Sequence, residues 1–106
     1  MATDAIVVMV TTSFEDEAVA IANHLVRDHL AACVSLFPVS SIYTWDKQVH
    51  HDQEWQLMIK THQDKFTALE TKVRELHTYD VPEVIALPVT AGSMSYLNWI
   101  STQVHL

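Results

Sequence analysis

The chain has 106 residues, enough for one hydrophobic core, and its 49% hydrophobic and 18% charged residues exclude a disordered polypeptide. Six Lys and Arg against 13 Asp and Glu leave a net charge of −7, the wrong sign for a nucleic-acid backbone or an anionic membrane surface. The single glycine, Gly92, rules out glycine-rich phosphate loops, and the single cysteine, Cys33, rules out an internal disulfide and every CxxC site.

The opening MATDAIVVMV carries no basic segment, and no apolar stretch approaches the ~18 residues of a membrane span. The expectation is a soluble, cytoplasmic, single-domain protein over residues 1–106. In chain order, the apolar run Ala5–Val10 reads as a strand buried on both faces, ended by Thr11 and Thr12. Thr12 and Ser13, with Glu15 and Asp16 three positions on, have the pattern of a capping box. Ala18, Ile21, Ala22, Leu25 and His29 then mark one face of a helix ending near Asp28 or Leu30. Cys33–Trp45 and Val49–Thr61 are extended stretches joined by Asp46-Lys47-Gln48, a long hairpin whose first arm contains Pro38. With no glycine at that junction, a longer or non-primed turn is expected.

Thr61 with Asp64 suggests another cap, and Phe66, Leu69, Val73 and Leu76 a helix of about four turns. Pro82 keeps Tyr79–Pro82 out of helix. Val84–Val89 reads as a second inner strand, Gly92 as a turn, and Ser93 as the cap of a short final helix through Leu97, Ile100 and Val104. The order predicts an α+β fold: a ferredoxin-like βαββαβ sandwich with a long hairpin between its second and third strands and a short C-terminal helix.

Lengths bear on partners. Hairpin arms of about 13 residues span roughly 40 Å, whereas helices of about 15 residues span roughly 22 Å. The distal hairpin, with Ile42, Tyr43, Trp45 and Trp55, therefore outruns its cover, and the inner strands are apolar on a face that no helix reaches. Another copy of the chain is the simplest cover, with Trp45, Trp55 and Trp99 as interface anchors.

Leu30-Ala31-Ala32-Cys33-Val34, Ser41-Ile42-Tyr43-Thr44-Trp45-Asp46-Lys47 and Leu57-Met58-Ile59-Lys60-Thr61 resemble segments of the CutA family. So do Leu76–Pro88 and Tyr96-Leu97-Asn98-Trp99-Ile100, and the resemblance runs from Val7 to Ile100. It implies a homotrimer akin in shape to PII-type signalling proteins. It also implies a part in divalent-cation tolerance and copper binding as ascribed to some members, a family with no catalytic activity established for it as a whole; the expectation is a non-enzyme without an organic cofactor. Bacterial members credited with copper binding carry a Cys before the first helix and a His-His pair ahead of a Pro-Tyr. Here those positions read Val10 and Leu76-His77.

His77 is accordingly the leading metal-ligand candidate, for Cu(II) or a similar ion held weakly, its competing role being a dipole partner at a helix C-terminus. His50 and Asp52 are lesser candidates, two residues apart and so on one face of a strand. Lys60, Tyr79 and Glu83 form the alternative: a PII-like sensor or scaffold binding an anionic ligand in a cleft between subunits. No Ser/His/Asp arrangement or glycine-framed nucleophile points to an enzyme.

Overall fold

The computed structural model describes residues 3–106. Strands β1 (Ala5–Thr12), β2 (Cys33–Trp45), β3 (Gln48–His62) and β4 (Ile85–Pro88) combine with helices α1 (Glu15–Arg27), α2 (Phe66–Leu76) and α3 (Met94–Gln103) in the order β1-α1-β2-β3-α2-β4-α3. The strands form one antiparallel sheet, β2-β3-β1-β4, the ferredoxin-like arrangement.

Alternation along β1 builds two cores. Ile6, Val8 and Val10 join Ile21 and Leu25 of α1, Leu57 and Ile59 of β3, and Leu69 and Val73 of α2 in the main core. Full burial of such a side chain contributes roughly 1.5–3 kcal/mol, so this layer carries most of the stability. Ala5, one residue out of phase with Ile6, instead meets Ala32, Ile100 and Val104 in a smaller cluster under α3. On that second face Ile85 and Leu87 of β4 are left open: these two are 52% and 46% exposed.

Several local expectations need correction. β1 continues through Thr11 and Thr12, which still pair with Gln56 and Trp55. Thr12 is therefore held by the sheet, its hydroxyl donating to the Phe14 carbonyl at 2.9 Å. Phe14 becomes the N-cap of α1 without a side-chain cap, and the capping box does not form. Before α2, a 3-10 turn spans Gln63–Lys65, and its cap acceptor is His62 Nδ1, 3.1 Å from the Asp64 amide, not Thr61. Thr61 is buried and donates to the Leu30 carbonyl at 2.7 Å. With those three residues assigned to the 3-10 turn, α2 is 11 residues long, about three turns.

β4 is an edge strand beside β1 rather than an inner one. Edge placement also tolerates Pro88, whose missing N–H breaks no central ladder. Gly92 makes no left-handed turn; a Cβ there would stand 3.1 Å from Leu97 Cδ2, so close approach, not backbone freedom, is its role. Ser93 caps α3 as expected, accepting from the Tyr96 amide at 3.3 Å.

The hairpin is long as expected, with arms of 13 and 15 residues. Its turn is the surprise. Trp45 pairs directly with Gln48, leaving a two-residue loop in which Asp46 and Lys47 have φ of 52° and 64°. Both central residues are left-handed, as a type I′ turn requires, because only that hand matches the twist of the flanking strands. The turn is tight and primed despite lacking glycine.

Candidate functional site

The two ladders of β3 differ in length, and the difference creates a cleft. β1 pairs with residues 55–62 of β3, whereas β2 pairs with residues 48–60. Residues 48–54 of β3 therefore extend beyond the end of β1, facing the segment after α2. The resulting cleft, about 630 Å³, has Ser41, Ile42, Tyr43 and Trp45 on one wall and Tyr79–Val81 with Glu83 on the other. Thr11, Glu54 and Gln56 form its floor.

Tyr79 organises the floor. Its hydroxyl donates to Glu54 Oε2 at 2.7 Å, and Ser13 Oγ lies 2.7 Å from the same oxygen. Since the phenol proton goes to the carboxylate, the Ser13 hydroxyl is the donor to Tyr79, giving a chain from Ser13 to Tyr79 to Glu54. Burial pushes the Tyr79 phenol up to about 12; the Ser13 hydrogen bond opposes this and the Glu54 carboxylate adds to it. Glu54 itself is 6% exposed, and no Lys, Arg or His among the described residues lies within ion-pair distance of it. Gln56, 9% exposed, donates from Nε2 to the Val10 carbonyl at 3.1 Å and to Glu83 Oε2 at 3.0 Å. The glutamine thus ties an exposed loop carboxylate to the sheet.

The expected metal ligand, His77, has a structural position. Its side chain is fully buried, Nε2 lies 2.7 Å from the Thr11 carbonyl oxygen, and Nδ1 accepts from the Tyr79 amide at 3.0 Å. An acceptor Nδ1 bears no proton, so the ring is neutral and Nε2–H is the donor to Thr11. The 3.9 Å approach of Glu17 Oε2 to Nδ1 is then not an ion pair, because the Tyr79 amide already occupies that nitrogen. With both nitrogens engaged, no lone pair is presented to an ion. His77 pins the loop after α2 to the end of β1.

His50 and Asp52 do share a face, both against Tyr43. The His50 ring stacks on Tyr43 with centroids 5.5 Å apart, its Nε2 lies 3.3 Å from the Trp45 carbonyl, and Asp52 accepts the Tyr43 hydroxyl. That hydrogen bond raises the Tyr43 pKa. Among the described residues no group of three or more His, Cys, Asp or Glu side chains is placed to hold a metal ion. One copy of the chain therefore does not by itself fit a resident divalent cation.

The proposed anionic cleft separates in the same way. Tyr79 and Glu83 line the cleft, but Lys60 stands six residues along β3 from Glu54, about 20 Å at strand rise. Its ammonium donates to Ser35 Oγ at 2.7 Å. The lining holds Glu54, Asp80 and Glu83 and no basic side chain, so its sign is opposite to that expected. Of the tryptophans, Trp45 and Trp99 are 52% and 40% exposed, whereas Trp55 packs against the main core. Gln56 and Ser13 were invisible as site residues: one reads as an ordinary polar strand position and the other as a helix cap.

Comparison with known proteins places the chain in a family. A family model for the CutA1 divalent ion tolerance protein matches residues 6–103. The divalent-cation tolerance protein CutA of Thermus thermophilus is 44% identical over 95 residues, 89% of this chain and 92% of its own length. Human protein CutA is 46% identical over 92 residues, and there the match spans only 51% of the relative. Among solved structures, the periplasmic divalent cation tolerance protein CutA of Archaeoglobus fulgidus is similar with a TM-score of 0.93 at 31% identity, covering 94% of this chain and 98% of that one.

Proposed function

Because the chain belongs to the CutA1 divalent ion tolerance protein family, we propose that it serves in the response to divalent cations as a non-enzymatic homotrimer in a reducing compartment such as the cytoplasm. The observation that supports assembly is the sheet's open face, where Ile85 and Leu87 lie half exposed, together with the bare distal hairpin carrying Ile42, Trp45 and Val49. A monomer would leave this apolar surface in water, and a different surface of a neighbouring copy, as a three-fold ring requires, is its natural cover. Each hairpin contributes His50 and Asp52, a borderline nitrogen and a hard oxygen, which are too few for Cu(II) or Zn(II) alone. Ligands from more than one copy complete such a set, with the cation as cargo and not as a resident cofactor.

The test is sedimentation together with calorimetric titration of Cu(II) and Zn(II). The expected result is a trimer whose metal affinity falls on His50→Ala. A folded monomer at micromolar concentration, or no binding tighter than about 0.1 mM, would refute it.

The cleft favours a second reading, a small-molecule sensor of PII-like architecture. A volume of about 630 Å³ lies within the range that holds small organic ligands. Its carboxylate lining reverses the sign of the expected ligand.

A further inference from the structure

We propose that the cleft between the distal hairpin and the loop after α2 binds a small organic cation, a primary ammonium or guanidinium, an inference that rests on the sensor reading.

Hydrogen-bond accounting on the floor carries the argument. The Gln56 Nε2 faces the Val10 carbonyl and the Glu83 carboxylate, both acceptors, so the amide orientation is fixed and Oε1 points the other way. Neither Gln56 Oε1 nor Glu54 Oε1 has a hydrogen-bond partner among the described residues, although both residues are more than nine-tenths buried. No side-chain oxygen or nitrogen among those residues is both sealed from solvent and unpartnered. Both residues line the cleft, and the geometry points these two oxygens towards it. Both are acceptors that a donor placed in the cleft can reach.

The charge of the occupant follows. Glu54, with a phenol hydroxyl as its only described partner, stands at the cleft floor with no basic side chain in the lining to balance its charge. Charge-assisted N–H donors satisfy it best. An anion would meet Glu54 and Glu83 with no basic group to offset them. A bare metal ion lacks the convergent ligands it needs. Tyr43 and Tyr79 supply aromatic surface beside the acceptors, which attracts ammonium and guanidinium groups.

The test is calorimetry on the native assembled protein in EDTA, with putrescine and agmatine as cationic probes and glutarate as an anion of similar length. At least one cationic probe should bind and glutarate should not. Glu54→Gln, which keeps an acceptor for Tyr79, should weaken binding about tenfold or more while the melting temperature shows the fold retained. If that variant fails to fold, Glu83→Gln on the exposed loop replaces it, with a several-fold loss expected. Absence of binding by both cations up to about 10 mM, comparable binding of glutarate, or unchanged affinity in the folded variant would overturn the proposal. Prior occupation by a basic side chain of another copy would register as absence of binding. Since no metal is present, failure here leaves the Cu(II) and Zn(II) titrations standing, and the reverse also holds.

Discussion

The imidazole of His77 donates from Nε2 to the carbonyl oxygen of Thr11 at 2.7 Å while its other nitrogen accepts the amide of Tyr79. One side chain thus satisfies two backbone groups and joins the end of β1 to the loop that forms the cleft wall. His77→Ala leaves the buried Thr11 carbonyl and the Tyr79 amide without partners, each costing about 1–3 kcal/mol. The variant should be less stable by about 3 kcal/mol in urea unfolding, with Cu(II) affinity unchanged in the folded fraction. A metal affinity that collapses at unchanged stability would restore His77 as a ligand.

At the hairpin tip, Lys47 occupies the second position of a two-residue turn with φ of 64°, where a side chain is strained and glycine is not. Lys47→Gly should therefore stabilise the protein by about 1 kcal/mol, read as a higher melting temperature. Asp46→Gly should gain less, since Asp tolerates the left-handed region better than Lys. A lower melting temperature for Lys47→Gly would show that the strand twist does not impose this turn.

The architecture was legible because period and burial agree over most of the chain. Leu57 and Ile59 alternate with Met58 and Lys60 and do divide between two faces, and the apolar stripes of α1 and α2 do bury Ile21, Leu25, Leu69 and Val73. The hairpin turn departs from expectation because glycine is the usual signal for positive φ, while here strand register imposes it on Asp46 and Lys47. The cap expected for α1 fails for a related reason: Thr12 is still committed to β1. The site was least legible. His77 looked like a ligand by residue type, and only the distance to Thr11 shows both nitrogens engaged. Glu54 and Gln56 look like solvent-facing strand positions, and their burial arises from a loop 25 or more residues away folding across them.

Tyr79 makes the cleft floor testable by pH. Its phenol ionises at about 12 in the folded protein, above the ordinary value of 10 that holds when unfolded. A group raised in the fold contributes stability that is complete below pH 10 and is lost as pH rises towards 12. Unfolding free energy should thus fall between those limits, and Tyr79→Phe should make the fall shallower. In absorbance titration of the three tyrosines, the same variant should remove a step near 12. An unaltered profile would mean that Tyr79 is not held between Glu54 and Ser13.

Assembly can be separated from folding by choosing the face that is altered. Leu87 pairs with Val7 on the edge of the sheet, is 46% exposed in one copy, and lies outside both buried clusters. Leu87→Asp should therefore leave the subunit folded while placing a charge in the surface proposed to meet another copy, where desolvation without a partner is costly. Val19, 40% exposed on α1, is a matched control on the opposite, helical layer. In sedimentation velocity, Leu87→Asp should shift the protein towards monomer and Val19→Asp should not. Dissociation by Val19→Asp alone would place the contact on the helices. The open face of the sheet would then require some other cover, and the proposal that copies meet there would fall.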